Sequence, residues 1–581
     1  KFLKKKQVFE RRRYWIEGMK LEEEINCEKK EGCCYEIEWS VEEVVKEVEV
    51  YCEKIVCIVG EEKNGREMVN LINLKMKDLS SGSWKYMGES YVKEKDLKDL
   101  VWIGDMKKEI RRVGWDCLEM LQEVWKGGIV ERVYLVTIGG VQIGREERLR
   151  VGRKESVLWG VGRSARMELG ERVWVMNVDV DDILKIGEEV MKTSNKDVYE
   201  CAYRGGSRYV PKLMRKEMKK EMKKREYFGE KKGSMILGGF GALGKVSMEW
   251  LRGKGSKRIG RVGRKGCIVN SLEQKVEERA VIVNIRGDLG KRGYSKGVME
   301  NMYDIGAVMH LSGIASKNLF IQETRNEMNQ VMEGKAIGWI NTRRWLKMEE
   351  LEFVILFSSQ ASIVPMYGQG SYASANSVLD GYGGESGKTL SVNWGAFGSV
   401  GMYEEINEKQ KIQGEKMWTL LVPAKGMSEM EVMIMERKSQ VGIMELVEWN
   451  NIPNKNGSIY KHLQGLDDEL TISGSIESVE FIVKRVLGME EEAEIDEQST
   501  FLELGFDSIS SVELAQKLSE ELGVEVGPTV VYDYPNIEEL EKMLRGKTNE
   551  IIKKRIVDKN HFGVIVSGMS CRFGDGWNEE G

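Results

Sequence analysis

From Tyr35 to about Arg225, short apolar runs such as Ile55-Val56-Cys57-Ile58-Val59 and Val133-Tyr134-Leu135-Val136-Thr137 alternate with charged segments of helical length. Runs of this length predict buried strands, and their alternation with helix-length stretches predicts an α/β unit. A Lys/Glu/Met-rich stretch at 212–225 leads into a second region of the same rhythm, running to about residue 445. Its predicted strands are Ser234–Leu237, Ala280–Ile285, Ala307–His310, Phe353–Phe357 and Leu390–Asn393. After a polar stretch at 450–474 the period changes. Ile476, Val479, Ile482, Val483 and Val486 share one helical face, and Ile509, Val512, Ala515, Leu518 and Leu522 share another. The expected fold class is therefore α/β, in two halves, followed by a small all-α domain of four-helix type. The expected boundaries are a linker at 1–34, halves at 35–225 and 226–449, a linker at 450–474, the helical domain at 475–547 and a linker at 548–560. The run Phe562–Gly568 begins a further strand, so 561–581 reads as the start of another domain.

Composition narrows the chemistry. The chain has 581 residues, with 89 Lys and Arg against 94 Asp and Glu and a formal charge of −5, so no basic excess points to nucleic acid. No stretch approaches the roughly 18–20 consecutive apolar residues of a membrane helix, and no apolar signal core follows the N-terminal lysines. A soluble, cytoplasmic protein with neither nucleic-acid nor membrane partners is expected. Nine scattered Cys form no CxxC pair and match no zinc spacing, so reduced thiols and no metal are expected. Only three His occur (His310, His462, His561), which disfavours mechanisms that shuttle protons through histidine. Six Pro is far below the roughly 5% of average usage, so motifs that ordinarily contain Pro are expected to be altered.

Met235-Ile236-Leu237-Gly238-Gly239-Phe240-Gly241-Ala242-Leu243-Gly244 is a strand feeding a GxGxxG turn and then a helix-length segment. Gly238, Gly239, Gly241 and Gly244 permit a tight turn and close approach of a pyrophosphate to a helix N-terminus. An ordinary strand–helix turn gives the same pattern in a chain with 64 Gly. At the end of the next strand stands Arg264, where an acidic residue would select NAD and a cation accommodates the 2′-phosphate of NADPH. A solvated surface arginine is the alternative. Asp288, after Val281–Ile285, is placed either to meet an adenine edge or simply to form a turn.

Ser359, at the end of a predicted strand, precedes Tyr372 on a predicted helix. Carbonyl reduction needs a proton donor near the oxygen, a second group that polarises it, and a cation that lowers the donor's pKa. Tyr372 fits the first role and Ser359 the second, the logic of short-chain dehydrogenases and reductases. The position four residues after Tyr372, where those enzymes carry Lys, is Asn376.

The runs Val308-Met309-His310-Leu311-Ser312-Gly313, Leu356-Phe357-Ser358-Ser359, Gly368-Gln369-Gly370-Ser371-Tyr372 and Ser391-Val392-Asn393-Trp394-Gly395 resemble the catalytic half of a type I modular polyketide synthase ketoreductase. In that family Lys and Asn exchange sequence positions, and the resemblance assigns the cation to Lys335 in Glu333–Trp339, with Asn376 holding the Tyr–Lys geometry. It departs from the family at Leu237, where Thr is usual, and at Gly334, where Pro is common. Tyr35–Trp39, Leu158–Arg163 and Arg204–Val210 resemble the structural half, a Rossmann-like unit without its own nucleotide site. Two Rossmann-like halves are thus implied, one structural and one catalytic. The class-defining positions carry Ala315-Ser316-Lys317 and Val364, which leaves the hydroxyl configuration open.

Phe501–Leu514, containing Gly505-Phe506-Asp507-Ser508-Ile509, resembles the acyl carrier motif in which Ser508 bears 4′-phosphopantetheine. The alternative is that Asp507 or Ser508 merely caps the helix, which explains a Ser at that position but not the surrounding three-helix pattern. Residues 489–507 hold eight Asp or Glu and no Lys or Arg, an acidic face suited to basic docking patches on partner enzymes. Phe9–Ile16 resembles a post-ketosynthase or acyltransferase linker. Ser567–Phe573 resembles a ketosynthase start, with Gly574 in place of Pro and Cys571 as a structural residue. The resemblance implies NADPH-dependent reduction of a β-ketoacyl thioester held on the carrier arm. It also implies as partners a phosphopantetheinyl transferase and adjacent ketosynthase, acyltransferase or other synthase domains. The alternatives are a degenerate reductase scaffold beside a working carrier, and a fatty-acid-type reductase–carrier fusion.

Overall fold

The computed structural model describes residues 33–41, 55–59, 83–86, 97–103, 108–127, 130, 132–143, 155–169, 172–179, 182, 184–191, 199–216, 232–264, 273–277, 280–293, 296–297, 304–316, 318–364, 368–398, 418–446, 479–487, 489, 495–496, 498–506, 508–522, 526–527 and 529–544. The expected linkers at 450–474 and 548–560, the Phe9–Ile16 motif, Ile476, Asp507 and the expected ketosynthase start at 561–581 lie outside the described residues.

The first half contains β1 (Cys34–Val41), β2 (Ile55–Val59), β3 (Ser83–Tyr86), β4 (Leu97–Ile103), α1 (Ile110–Gly127), β5 (Arg132–Ile138), α2 (Ser156–Leu169), β6 (Val173–Val178), α3 (Lys185–Met191), β7 (Glu200–Arg204) and β8 (Ser207–Lys216). Strands β3-β2-β4-β5-β6-β7 run parallel, and β8 turns back antiparallel on β7.

The second half contains β9 (Gly233–Leu237), α4 (Ala242–Gly253), β10 (Arg258–Gly263), β11 (Glu273–Glu277), β12 (Ala280–Arg286), β13 (Ile305–His310), α5 (Arg325–Met332), α6 (Gly338–Arg343), β14 (Phe353–Ser359), α7 (Gly370–Asp380), β15 (Thr389–Trp394), β16 (Trp418–Thr419), α8 (Pro423–Met435), β17 (Gln440–Ile443) and β18 (Glu445–Leu446). Its parallel strands follow the order β12-β10-β9-β13-β14-β15-β17, a Rossmann arrangement whose direction of growth reverses between β9 and β13. A crevice opens at that reversal, outside the carboxyl ends of the strands, and the glycine turn lies there. Strand β14 (Phe-Val-Ile-Leu-Phe-Ser-Ser) is buried at its first six positions, as expected of a strand covered by helices on both faces.

The two halves are joined at the backbone. Strand β1, expected to open the first half, pairs antiparallel with β8 over eight positions and with β17 at Cys34–Ile443 and Tyr35–Gly442. The result is one sheet of sixteen strands among the described residues. Packing crosses the same boundary. One apolar cluster combines Leu118, Val157 and Val161 of the first half with Phe320, Met328, Tyr372 and Ala375 of the second. Closest of all is α2 against α7, where a Cβ on Gly160 would fall 2.5 Å from backbone atoms of Ala373 and Ser374.

The C-terminal helices are α9 (Val479–Leu487), α10 (Ser508–Leu522), α11 (Val530–Asp533) and a last helix over 537–544. Their core includes Val479, Ile482, Val483, Val486, Phe501, Leu514, Leu518 and Leu540. The helical spacing of Val479, Ile482, Val483 and Val486, and of Val512, Ala515 and Leu518, therefore marks buried faces of α9 and α10. Among the described residues no helix is long and apolar enough to cross a membrane.

Candidate active site

Three elements of the second half converge at the C-terminal edge of β14. The strand ends in Ser359, whose Oγ accepts from the Ala361 amide at 3.3 Å and caps a short 3-10 turn. Helix α7 then carries Tyr372 in its first turn and Asn376 one turn later. Asn376 Nδ2 donates to the Tyr372 carbonyl at 2.7 Å, while its Oδ1 is buried with no hydrogen-bond partner among the described residues. Burial raises the Tyr372 pKa, and hydrogen bonding by the side chains of Ser359 and Asn376 opposes that rise.

Lys335 arrives from a different direction. Residues Glu333–Ile337 form one π-helical turn between α5 and α6, with the Gly338 amide reaching back to the Glu333 carbonyl. Such single-turn insertions recur at functional sites because they re-aim one side chain out of the regular helical face. Lys335 Nζ lies 5.2 Å from the centre of the Tyr372 ring and donates to the Phe357 carbonyl at 2.8 Å. Burial pushes its pKa down to about 7, opposed by the carboxylate of Asp380.

The structure thus brings Lys335, Ser359, Tyr372 and Asn376 together from three separate elements. It also places residues beside them that the sequence reading passed over. Asp380, at the end of α7, is half-buried and accepts from Ser362 Oγ at 2.6 Å, Ser391 Oγ at 2.7 Å and Asn393 Nδ2 at 2.9 Å. Burial raises its pKa, which those donors counter. The available signal was a lone acidic residue eight positions after Tyr372 in a helix of otherwise small and apolar side chains. His310 ends β13 with Nε2 2.8 Å from the Lys335 carbonyl. A carbonyl only accepts, so Nε2 carries the hydrogen; burial holds the ring neutral, with a pKa near 3.

The glycine turn closes the other side of the crevice. Gly238 has φ +87°, and a Cβ there would meet the Ser312 amide nitrogen at 2.6 Å. A Cβ on Gly244 would fall 2.4 Å from the Gly239 carbonyl oxygen, whereas one on Gly241 meets nothing nearer than 3.9 Å. Gly241 caps α4 without any side-chain hydrogen bond, so the helix N-terminus is not blocked by its own cap. This cradle of bare backbone fits a dinucleotide pyrophosphate. Arg261, also unanticipated, braces the turn by donating to the Gly239 carbonyl at 2.9 Å, with its guanidinium 4.8 Å from the Phe240 ring centre. Arg264 is exposed just past β10. Asp288 is half-buried, and its Oδ1 accepts from the Gly290 amide at 3.1 Å, the contact of a turn former.

In the helical domain, Ser508 is the first residue of α10. The turn before it is pinned: Gly505 has φ +93°, and the Phe506 amide donates to the Phe501 carbonyl at 2.8 Å. The Phe501 amide in turn donates to the Pro535 carbonyl at 2.8 Å, which ties this loop to the Val531–Pro535 segment.

Comparisons with known proteins agree with this layout. Residues 233–399 match the family model described as a KR domain, and residues 477–544 match that of a phosphopantetheine attachment site. The erythronolide synthase EryA3 of Saccharopolyspora erythraea is 22% identical over 518 residues, covering 80% of this chain and 16% of that protein. The polyketide synthase GfsA of Streptomyces halstedii is 22% identical over 515 residues, covering 79% of this chain and 7% of its own length. The chain therefore spans less than a fifth of these relatives. Among solved structures, an A-type ketoreductase from a modular polyketide synthase superposes with a TM-score of 0.61 at 17% identity, covering 72% of this chain and 94% of that one. A C2-type ketoreductase gives 0.62 at 15% identity, covering 74% and 100%.

Proposed function

We propose that this chain, a ketoreductase-type domain joined to a phosphopantetheine attachment domain, reduces a β-ketoacyl thioester to the β-hydroxyacyl form within a modular polyketide synthase. The observation that carries the reading is the meeting of Lys335 with Tyr372 beside Ser359, at the mouth of a glycine cradle. When bound, NADPH supplies the hydride. Gly238, Gly239, Gly241 and Gly244 would receive its pyrophosphate, Arg264 its 2′-phosphate and Asp288 its adenine edge.

The chain's own residues manage the charge that develops on the substrate oxygen. Ser359 Oγ donates to that oxygen and Tyr372 delivers a proton to it. Tyr372 is buried, which disfavours its phenolate, so the ammonium of Lys335 is what makes proton release affordable. Asn376 fixes the first turn of α7 through the Tyr372 carbonyl, and so fixes the phenol. The π-helical turn and the His310 bond hold Lys335 in place. Preorganised donors of this kind lower the barrier because they need no reorientation as the reaction proceeds.

Ser508 would carry 4′-phosphopantetheine, added by a phosphopantetheinyl transferase that reads the acidic face of the helical domain. The acyl group would arrive from neighbouring synthase domains in the cytoplasm. The test is oxidation of NADPH by the full chain with a small β-ketoacyl thioester. Turnover in the wild type, falling by about 10²–10⁴ in Tyr372→Phe, is expected for loss of a general acid. No turnover in the wild type would leave the degenerate-scaffold reading in its place.

A further inference from the structure

The first half has no glycine cradle of its own assigned, yet its helices α1 and α2 reach into the second half at the rim of the catalytic group. Glu168, in the last turn of α2, is buried and accepts two backbone amides from the other half. One is Phe320 N at 2.5 Å and the other is Gly368 N at 2.9 Å. These amides belong to different segments. Phe320 lies in the connection between β13 and α5, and Gly368 lies just before α7.

The same two segments are tied again within the second half. Glu323 accepts from the Ser371 amide at 3.1 Å and from Ser316 Oγ at 2.7 Å. Ser371 immediately precedes Tyr372. At its other end the connection abuts the cation, since a Cβ on Gly313 would fall 2.7 Å from Lys335 Cε. The described residues 313–316 and 318–323 therefore reach from Lys335 to the start of α7 and form a rim beside Lys335 and Tyr372. From α1, Gln122 Nε2 holds the same segment by donating to the Phe320 carbonyl at 2.7 Å.

A buried carboxylate costs stability, because burial disfavours its charge. Burial pushes the Glu168 pKa up to about 8, with Glu323 adding to the rise and the two amides opposing it. An apolar residue would fill this position at less cost if packing were the only requirement. What the carboxyl group alone provides, ionised or protonated, is two oxygens on one rigid group that can accept from two amides of separate segments.

We propose that Glu168 is a positioning residue for ketoreduction: by bridging the Phe320 and Gly368 amides it fixes the gap between the rim segment and the Tyr372 helix, where the acyl thioester must enter. The proposal rests on the ketoreductase reading above. Glu168→Gln retains the shape but offers one acceptor oxygen and one amino group, so one of the two amides loses its partner.

The experiment uses the full chain and two readouts. In hydrogen exchange, the Phe320 and Gly368 amides are expected to be protected in the wild type, and one of them is expected to exchange about tenfold faster in Glu168→Gln, within the range for a buried donor left without its acceptor. Amides of the glycine cradle at 238–244 should not change. In kinetics with a small β-ketoacyl thioester, KM should rise about tenfold while kcat changes much less and NADPH affinity stays within about twofold. Unprotected Phe320 and Gly368 amides in the wild type would overturn the proposal without any variant being needed. So would a folded Glu168→Gln with unchanged kcat/KM. A wild type that does not turn over would instead overturn the ketoreductase reading on which the proposal stands.

Discussion

Lys335 Nζ sits 5.2 Å from the ring centre of Tyr372, although 37 residues and a β-strand separate the two in sequence. The spacing follows from two backbone devices. A π-helical turn aims the lysine, and a short 3-10 turn after β14 sets the start of the segment that leads to the tyrosine. Neither device changes the chemistry of a residue; both change where it points.

On the proposed mechanism, this pairing makes activity depend on the charge of Lys335. Burial pushes its pKa down to about 7, so the ammonium that assists Tyr372 is present below that pH and is lost above it. The free-enzyme profile, kcat/KM against pH, is expected to fall as pH rises through about 7. Lys335→Arg, whose guanidinium does not deprotonate, should lower the plateau and remove this limb. Stability should follow the opposite trend. Between about 7 and the ordinary value of 10.5 the unfolded chain keeps a proton that the folded chain has released, so stability rises with pH across that window. Lys335→Met should flatten the rise, which denaturant titrations at several pH values would measure.

The glycine cradle makes a second quantity predictable. At φ +87° Gly238 occupies the left-handed region, and its missing Cβ leaves room for the Ser312 amide. Gly238→Ala adds backbone strain of about 1–2 kcal/mol and forces β9 and the segment after β13 apart. NADPH affinity should fall, read by quenching of tryptophan fluorescence on titration, because the displaced turn no longer presents its amides to the pyrophosphate. An unchanged dissociation constant would place the nucleotide elsewhere.

Gly160→Ala tests whether the first half shapes the catalytic helix. The new methyl would lie 2.5 Å from the carbonyl of Ala373 and from Ser374 Cα, backbone atoms that cannot rotate away. Overpacking of this kind costs about 1–3 kcal/mol, so the thermal midpoint should fall by several degrees. Because Ala373 follows Tyr372 directly, kcat should fall as well, even at temperatures where the variant is fully folded. A stability loss with kcat intact would confine α2 to a packing role.

What was legible in the sequence follows a physical division. Strands β9, β12, β13 and β14 carry apolar runs of three to five residues, so burial on both faces identifies them, while β15 (Thr-Leu-Ser-Val-Asn-Trp) alternates small or polar with apolar residues and is buried throughout. Strand β11 (Glu-Gln-Lys-Val-Glu) carries no such pattern; it pairs only with β12 at the sheet edge, where polar side chains are tolerated. Tyr372, Ser359 and Ser508 could be proposed from the sequence because their neighbours form motifs. Lys335 was assigned only through family resemblance, since no local pattern announces a π-helical turn. The contacts of Asp380, His310, Arg261 and Glu168 were not readable, although His310 stands in a quoted motif and Asp380 is the lone acidic residue of its helix. Their meaning lies in partners 11 to 200 residues away, which the fold alone brings near.

The carrier assignment predicts a split between tethered and free substrate. The loop before α10 is held by the Phe501–Phe506 ring pair, 5.1 Å between centres, and by the Pro535 carbonyl, so Ser508 begins its helix from a fixed turn. A transferase and coenzyme A should therefore add 4′-phosphopantetheine to the wild type and nothing to Ser508→Ala, as intact mass spectrometry would register. The reductase itself should be untouched, because none of its catalytic group lies in the helical domain. Ser508→Ala should then reduce a free β-ketoacyl thioester at the wild-type rate, and only reduction of an arm-bound acyl group should disappear. Delivery on the arm replaces a bimolecular encounter with an effective concentration in the millimolar range, so at micromolar substrate the tethered reaction should run well ahead of the free one. A mass gain that persists in Ser508→Ala would move the attachment site, and equal rates for tethered and free acyl groups would separate the carrier from this reductase.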